Sequence, residues 1–243
     1  MASYHLSIKS GKKGNAANHA TYIAREGKNG NYLKRSDLIA TDHGNLPNWT
    51  QGNPTAFWKM ADMHERKNGA VYREYEIAIP KELTVEQQRQ LVNEFIKPEI
   101  GEKPYHFAIH SPTAALGGIA QPHAHIMFSD RKPDDIDRPP EQHFKRFNPV
   151  NPELGGCKKD SGGKDRSVLK GDLMTTRATW AQLQNSSLEK YGYEARVDHR
   201  SNKVRGIERT PEKHLGPIGI KKMTPQEKTE YSGKRQGLQQ QSF

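Results

Sequence analysis

Three histidines in the middle of the chain have the spacing of a metal site. His123 and His125 lie two residues apart at the start of one apolar stretch, and His110 ends the apolar stretch before it. Residues two apart on a strand point to the same face, so His123 and His125 project together, and His110 joins them if the two strands pair. Three converging imidazoles bind a divalent transition metal. A lone His-x-His pair also occurs by chance on exposed strands, and that alternative stays open at this point.

Two glutamates upstream offer a carboxylate for such a site. Glu74 and Glu76 are also two residues apart, on another predicted strand. A carboxylate can orient a ligating imidazole or bind the metal directly. We assign the orienting role to Glu76 ahead of Glu74, and an exposed, solvated strand face is the alternative for both.

Tyr22 is the candidate nucleophile. The residues three and four positions away on its predicted helix are all polar, so Tyr22 lies outside the apolar stripe; they are Asn18, His19, Arg25 and Glu26. A free phenol has a pKa of about 10 and attacks poorly unless a base, metal or cation favours the phenolate. Its attack on a phosphodiester would give a phosphotyrosine ester, which keeps the energy of the broken bond and allows rejoining. An amphipathic surface tyrosine is the alternative.

The elements that hold these residues follow from the hydrophobic pattern and the capping residues. Strands are predicted over residues 3–9, 71–79, 105–110 and 123–128. Helices are predicted to begin at Asn15, Asn53, Thr84 (with Gln87 completing a capping box) and Asp172. The first of them runs to about residue 26 and the last to Gly192. Together they indicate an α+β domain, an antiparallel sheet with helices on one face.

The other segments are rich in polar residues and glycine. Residues 148–171 predict a long mobile basic loop, and residues 195–199 predict a short strand. A loop with a Gly117-Gly118 pair joins the two histidine strands. We therefore expect one domain over residues 1–220, followed by a flexible polar tail over residues 221–243.

The composition favours an anionic partner. The 243 residues carry a net charge of +10 with a pI near 9.5, which favours nucleic acid first and an anionic membrane second. Only 33% of the residues are hydrophobic, no stretch approaches the roughly 20 apolar residues that span a bilayer, and no signal peptide opens the chain. Membrane insertion is not expected. Cys157 is the only cysteine, which excludes an intrachain disulfide and fits a reducing cytoplasm.

With Tyr22 ahead of the histidine triad, the sequence resembles the MobA/MobL family of plasmid mobilisation relaxases. Motifs in the family's order cover roughly residues 2–217. Several motifs in the same order are a more specific match than any single motif. They are Tyr4-His5-Leu6, Tyr22-Ile23-Ala24-Arg25-Glu26-Gly27, Glu74-Tyr75-Glu76-Ile77-Ala78-Ile79-Pro80, His110, Pro122-His123-Ala124-His125-Ile126-Met127, Trp180-Ala181, Arg196-Val197-Asp198-His199-Arg200, Gly206-Ile207-Glu208-Arg209 and His214-Leu215-Gly216-Pro217. Ala124 stands where the HUH motif usually has a large hydrophobic residue, and the family tolerates small ones there.

The resemblance implies the palm of an HUH endonuclease, an antiparallel β-sheet that carries the metal site, with helices packed on it and the nucleophile on a facing N-terminal helix. It implies a site- and strand-specific transesterase that nicks single-stranded DNA at a plasmid origin of transfer. Tyr22 would form the 5′-phosphotyrosine link and later rejoin the strand after conjugative transfer, His110, His123 and His125 would bind the metal, and Glu76 would orient the triad. Many members continue into further C-terminal domains, so the chain is expected to be a small relaxase or part of a larger one.

The metal, the DNA contacts and the partners are also expectations. The family uses Mg²⁺ or Mn²⁺, although a histidine-rich site holds Zn²⁺, Co²⁺ or Ni²⁺ more tightly. The substrate is expected to be single-stranded at the cut, beside a hairpin arm of the origin. Accessory mobilisation proteins and the coupling protein of a type IV secretion system are possible partners. The cations expected to meet the DNA backbone are Lys9, Lys12, Lys13, Arg25, Lys158 and Lys159.

Three alternatives stay open on the sequence. A rolling-circle replication initiator shares the chemistry, although a tyrosine ahead of the histidines favours transfer. A non-catalytic nucleic-acid-binding module would have incidental histidines. A metal phosphoesterase would use water as the nucleophile, with Tyr22 uninvolved.

Overall fold

A five-stranded antiparallel sheet forms the centre of the molecule. The computed structural model describes residues 4–27, 37–114, 118–194, 196–208 and 216–240. The strands, in the spatial order β1-β3-β5-β4-β2, are β1 (Leu6–Gly11), β2 (Leu38–Gly44), β3 (Tyr72–Ala78), β4 (Tyr105–His110) and β5 (His123–Phe128). Every neighbouring pair is antiparallel. Four of the five predicted strands are therefore confirmed, β4 and β5 to the residue, and the edge strand β2 is an addition.

Seven helices are described. They are α1 (Ala16–Ile23), α2 (Pro54–His64), α3 (Val85–Glu99), the short α4 (Pro140–His143), α5 (Arg166–Lys190), α6 (Gly216–Lys222) and α7 (Pro225–Gln240). Among the residues that the structure describes, no helix combines the length and hydrophobicity needed to cross a bilayer.

Helices cover both faces of the sheet, so the prediction of helices on one face was wrong. The side that we call the apolar face packs against α3 and α5, with Phe95 and Trp180 meeting at a ring-centroid distance of 5.0 Å. The opposite side, the triad face, packs against α1 and α2 through a second cluster that includes Trp58 and Met127. Strand alternation explains the division: Ile126 of β5 faces the first cluster, and its neighbour His125 points to the second.

Capping residues fix most helix starts, and one cap comes from elsewhere in the fold. The side chain of Asn53 caps α2, and Thr84 with Gln87 forms the predicted capping box of α3. Asn15 occupies the predicted position before α1, but its side chain caps nothing. The carboxylate of Asp62 in α2 instead accepts hydrogen bonds from the backbone N–H groups of Ala16 and Ala17, the first two residues of α1, at 3.2 and 3.0 Å, and from that of Gly14 before the helix, at 2.7 Å.

The segment predicted as a mobile loop over residues 148–171 is partly helical, and its residues 155–157 are buried. Asp165, not Asp172, caps α5, so residues 166–171 are helical. The rest is held by two buried arginines on the preceding segment. Arg131 donates to the carbonyl oxygens of Lys145 and Cys157, and Arg138 donates to that of Gly155. These contacts hold Gly155 and Cys157, and the mobility of the segment stays a prediction.

The chain divides into two units, the second of which holds the polar C-terminal region. The first contains residues 1–111 and 122–199, and the second contains residues 112–121 and 200–243. Thr113 bridges to Ala120 within the second unit. Helix α7 lies where a flexible tail was predicted, and residues 196–199 form no strand. Residues 117, 195, 209 and 214–215, which belong to predicted motifs, lie outside the described residues.

Candidate active site

The three predicted histidines come together on the triad face. His110 ends β4 and lies directly opposite His123, the first residue of β5, in the antiparallel register. His125 follows two residues later and therefore projects from the same face. The three ring centroids are 5.2–5.5 Å apart, and each ring offers one nitrogen so that all three nitrogens lie within 4.8 Å of one another. Strand pairing thus brings together side chains that are up to 15 residues apart in the sequence.

His110 is the buried member of the triad. Its Nε2 lies 2.6 Å from the backbone oxygen of Ile23, and its Nδ1 lies 3.4 Å from a guanidinium nitrogen of Arg25. Because a carbonyl only accepts, Nε2 is the protonated nitrogen in this arrangement. Burial and the nearby charge of Arg25 lower the pKa of His110, whereas the hydrogen bond to Ile23 raises it. The result is a pKa of about 4. The ring is neutral at pH 7, as a metal ligand must be.

Glu74 is the carboxylate that contacts the triad. One of its oxygens lies 2.6 Å from Nδ1 of His125, and the other lies 2.9 Å from Nε2 of His19. Burial opposes ionisation of Glu74, but the hydrogen bonds from the two imidazoles outweigh it and lower its pKa to about 2. An acceptor on Nδ1 leaves Nε2 of His125 with its lone pair, which is the arrangement in which carboxylate-bound histidines bind metals.

Glu76, to which the sequence assigned the orienting role, makes a different contact. It lies opposite His125 in the strand register, yet its carboxylate pairs with Lys9. Burial raises the pKa of Glu76, but the hydrogen bond and charge of Lys9 outweigh this, and the pKa falls below its usual range. The assignment is therefore corrected to Glu74. Alternation places both glutamates on the triad face, and only the tertiary partners distinguish them.

Tyr22 lies on α1, which packs over the triad face. Its neighbours Ala16, Ala20 and Ile23 are buried against the sheet and α2, whereas Tyr22 itself is half-buried. The ring of His19, one turn earlier, lies nearly parallel to that of Tyr22 at 6.2 Å. Tyr22 packs partly against the second cluster, and the side chains of His19 and Arg25 contact its ring.

Arg25 links Tyr22 to the triad. It follows the last turn of α1 in the left-handed conformation, with φ of 55°. Its guanidinium lies 5.1 Å from the Tyr22 ring centroid and binds both carboxylate oxygens of Asp37, at 3.1 and 3.0 Å. Burial opposes its charge, but Asp37 and the Tyr22 side chain outweigh this and raise the pKa of Arg25. Arg25 was predicted to meet DNA backbone charge, but it is 8% exposed and contacts groups of the protein.

The predicted DNA-contacting lysines differ in their exposure and in their contacts within the protein. Lys12 and Lys158 are exposed, with the Lys158 ammonium 5.9 Å from the ring of Phe147. Lys13 donates to two backbone oxygens near the end of α2, and Lys9 pairs with Glu76. Lys159 is half-buried between the Glu65 carboxylate and the Ala70 carbonyl. Lys159 therefore belongs to the interior, and Lys12 and Lys158 are the exposed candidates without an ion pair among the described contacts.

The donor set of the triad fits a divalent metal. Three imidazoles on one rigid sheet, one of them bound to a carboxylate, form the nitrogen-rich half of a typical metal site. His110 would have to exchange one of its two present contacts for the metal. Among the described residues, no other group of three histidine, cysteine or carboxylate side chains is close enough to hold an ion.

Sequence reasoning missed three residues that contact the predicted ones. Glu74 was ranked below Glu76, His19 was noted only as a polar neighbour of Tyr22, and Asp37 was not considered. The position of His19 three residues before Tyr22 placed it on the same side of the helix, which was a usable signal. The pairing of Asp37 with Arg25 had no local signal, because twelve residues separate them.

Comparisons with known proteins identify the family of the chain. A sequence model of the MobA/MobL family matches residues 15–225. The chain is 52% identical over 210 residues to the 43 kDa relaxation protein of Salmonella typhimurium, covering 86% of this chain and 56% of that protein. It is 41% identical over 223 residues to mobilization protein A of Escherichia coli, covering 89% of this chain and 30% of that protein. The chain thus spans just over half of the first relative's length and under a third of the second's.

A solved structure described as "Molecular Basis of Vancomycin Resistance Transfer in Staphylococcus aureus" has the same fold. The TM-score is 0.59 at 23% identity, over 82% of this chain and 100% of that chain. The predicted α+β palm, with the histidine triad on an antiparallel sheet, is confirmed by this likeness and by the structure itself.

Proposed function

The chain belongs to the MobA/MobL family, and from that premise we propose that it is a metal-dependent relaxase that nicks single-stranded DNA at a plasmid origin of transfer. The observation that carries the proposal is the placement of Tyr22 on a helix over the face that holds the triad. His19 contacts both Tyr22 and His125, and Arg25 contacts both Tyr22 and His110. A nucleophile and a metal site joined by shared neighbours suit phosphoryl transfer better than either group alone.

The proposed reaction exchanges one phosphodiester for another. The phenolic oxygen of Tyr22 attacks the scissile phosphorus, the bond from phosphorus to the 3′ oxygen breaks, and the 3′ oxygen leaves with a proton. The phenol loses its own proton, and the 5′ end remains bound as a phosphotyrosine ester. The reverse reaction, with the 3′ hydroxyl as nucleophile, rejoins the strand after transfer and needs no external energy source.

The residues around Tyr22 have separate parts in this reaction. The buried guanidinium of Arg25 favours the negative charge that the Tyr22 oxygen carries when it attacks. Glu74 holds His125 in the tautomer that presents Nε2. His110, His123 and His125 would hold a divalent metal, which would supply Lewis-acid stabilisation of the charge on the scissile phosphate. The proposed metal is Mg²⁺ or Mn²⁺, and imidazole ligands also accept Zn²⁺, Co²⁺ or Ni²⁺.

The charge of the chain supports a DNA substrate. A net charge of +10 attracts a polyanion, and the exposed Lys12 and Lys158 are the proposed contacts to the backbone. We further propose a hairpin arm of the origin as part of the substrate, and accessory mobilisation proteins and a type IV coupling protein as partners. The relatives are named for relaxation and mobilisation, and nothing in these comparisons favours a replication initiator.

Covalent trapping tests the proposal. Labelled single-stranded oligonucleotides that tile the transfer origin of the encoding plasmid are incubated with the protein and Mn²⁺, then separated on a denaturing gel. Wild type is expected to give a protein–DNA adduct. Tyr22→Phe, which deletes only the attacking oxygen, is expected to give none, and His123→Ala is expected to be severely weakened.

The other outcomes identify the alternatives. Cleavage that persists in Tyr22→Phe without an adduct would favour a water-using phosphoesterase and overturn Tyr22 as nucleophile. Tight binding without cleavage of any tiled oligonucleotide would favour a binding module. Preferential cleavage of a replication origin would favour an initiator.

A further inference from the structure

His19 has no part in the proposed reaction, yet it contacts several residues of the site. It lies one helical turn before Tyr22, and its Nε2 is 2.9 Å from Glu74. Its ring is stacked between Tyr72, at 5.4 Å and 14°, and Tyr22, at 6.2 Å and 18°. Its ring is also nearly perpendicular to that of His125, at 6.5 Å. One side chain therefore contacts the nucleophile, the triad and the carboxylate behind the triad.

Glu74 is shared between His19 and the triad. It is 2% exposed, and each of its two oxygens accepts from a different imidazole, at 2.6 Å from His125 and 2.9 Å from His19. A carboxylate held at both oxygens cannot rotate, whereas one held at a single oxygen can. The orientation of His125 thus depends on the donor that occupies the second oxygen of Glu74.

Helix α1 needs such an anchor. It has eight residues, and an isolated helix of that length is not stable in water. Asp62 fixes its first backbone N–H groups, and the pairing of Arg25 with Asp37 fixes the chain after its last turn. The hydrogen bond from His19 to Glu74 and the ring contact of His19 with Tyr72 tie the middle of α1 to β3, beside the triad.

We propose that His19 is a positioning residue, which sets the orientation of His125 through Glu74 and holds Tyr22 over the triad. The effect on Tyr22 rests on the proposed function, but the effect on metal binding does not. His19→Phe keeps a ring between Tyr72 and Tyr22 and deletes the donor to Glu74. His19→Gln keeps a donor near the position of Nε2 and deletes the ring.

The first measurement is metal binding without DNA. Co²⁺ is titrated into each protein, and the visible absorption of the bound ion reports affinity and ligand geometry. Loss of a residue that orients a ligand typically lowers affinity about 10–100-fold, and we expect a loss in this range for His19→Phe. His19→Gln should stay within about threefold of wild type because its amide can donate to Glu74. Asn18→Ala, an exposed neighbour on α1, is the matched control and should bind like wild type.

The second measurement is single-turnover cleavage at saturating Mn²⁺. His19→Phe should cut about tenfold more slowly with oligonucleotide affinity unchanged, and His19→Gln should recover most of the rate. Cobalt affinity equal to wild type in His19→Phe would overturn the proposal, as would an equal loss in His19→Gln. A loss of affinity with an unchanged rate would overturn the effect on Tyr22.

Two further controls keep the tests separate. His19→Ala is a second donor-free variant in case His19→Phe does not fold. If wild type binds Co²⁺ but cuts no oligonucleotide, the proposed function fails, and the cobalt titrations alone decide the role of His19 at the triad.

Discussion

The two faces of the sheet are built from different kinds of residue, although they share the same strands. On the apolar face, Phe107 and Ile126 pack against α3 and α5 and are fully buried. On the triad face, His110 and Glu74 form hydrogen bonds with Ile23 and His19 of α1, and Glu74 also binds His125. Neighbouring residues of one strand thus serve either packing or chemistry.

The two kinds of residue differ in the free energy of their burial. Buried apolar side chains contribute about 25 cal/mol for each Å² removed from water, whereas a buried carboxylate is tolerated only when it is paired. Glu74 satisfies that condition with two imidazoles, and Asp37 satisfies it with Arg25. Both faces thus bury apolar side chains, and the triad face in addition pairs its buried charged groups.

The largest effect is expected from a cavity on the apolar face. Phe107→Ala removes a fully buried ring from β4 and should lower the free energy of unfolding by about 3–5 kcal/mol, measured by urea denaturation. Tyr22→Phe on the triad face should change it by about 1 kcal/mol or less while abolishing the covalent adduct. Equal destabilisation by both substitutions would remove the distinction between the faces.

A smaller loss of stability is expected at low pH, and we expect His143, on the triad side of the sheet, to contribute to it. His143 packs beside Phe57 of α2, and burial, reinforced by Arg131 and Arg138, lowers its pKa to about 4. The unfolded chain binds this proton near pH 6.5 and the folded protein only near pH 4, so stability falls as the pH drops between these values. The loss for His143 amounts to roughly 3 kcal/mol.

His143→Phe tests this pH dependence. With EDTA present, urea denaturation at several pH values between 7 and 4 should show a smaller fall in stability for the variant than for wild type. His5→Gln, which changes an exposed histidine, should fall like wild type. A variant that loses as much stability as wild type would show that His143 is not the group responsible.

Local sequence predicted four of the five strands of the sheet and the grouping of the three histidines, because both depend on short-range periodicity. The alternation in β4 and β5 fixed which histidines share a face. The choice between Glu74 and Glu76 could not be made in this way, because both lie on that face and Lys9 of β1 decides it by binding Glu76. The edge strand β2 carries polar residues and forms through its pairing with β4, which no local pattern predicts.

The helix starts show the same limit. Thr84 and Gln87 cap α3 from within their own sequence, and that start was predicted. Helix α5 begins at the Asp165 cap rather than at Asp172. The exposed Gly171, at which the predicted loop ended, lies within the helix. Helix α1 depends on Asp62, 46 residues from Ala16, which the sequence does not connect to it.

The smallest effect compares the caps of two helices on opposite faces. Thr84→Ala and Asp62→Ala should each lower the free energy of unfolding by about 1 kcal/mol, because each removes an acceptor for backbone N–H groups. Only Asp62→Ala should also slow cleavage, because α1 carries Tyr22 whereas α3 packs on the apolar face. Urea denaturation and single-turnover cleavage at saturating Mn²⁺ measure the two effects. If Asp62→Ala destabilised the protein without slowing cleavage, the contacts of His19 and Arg25 would be enough to hold Tyr22. The position of Tyr22 would then not depend on the cap of α1.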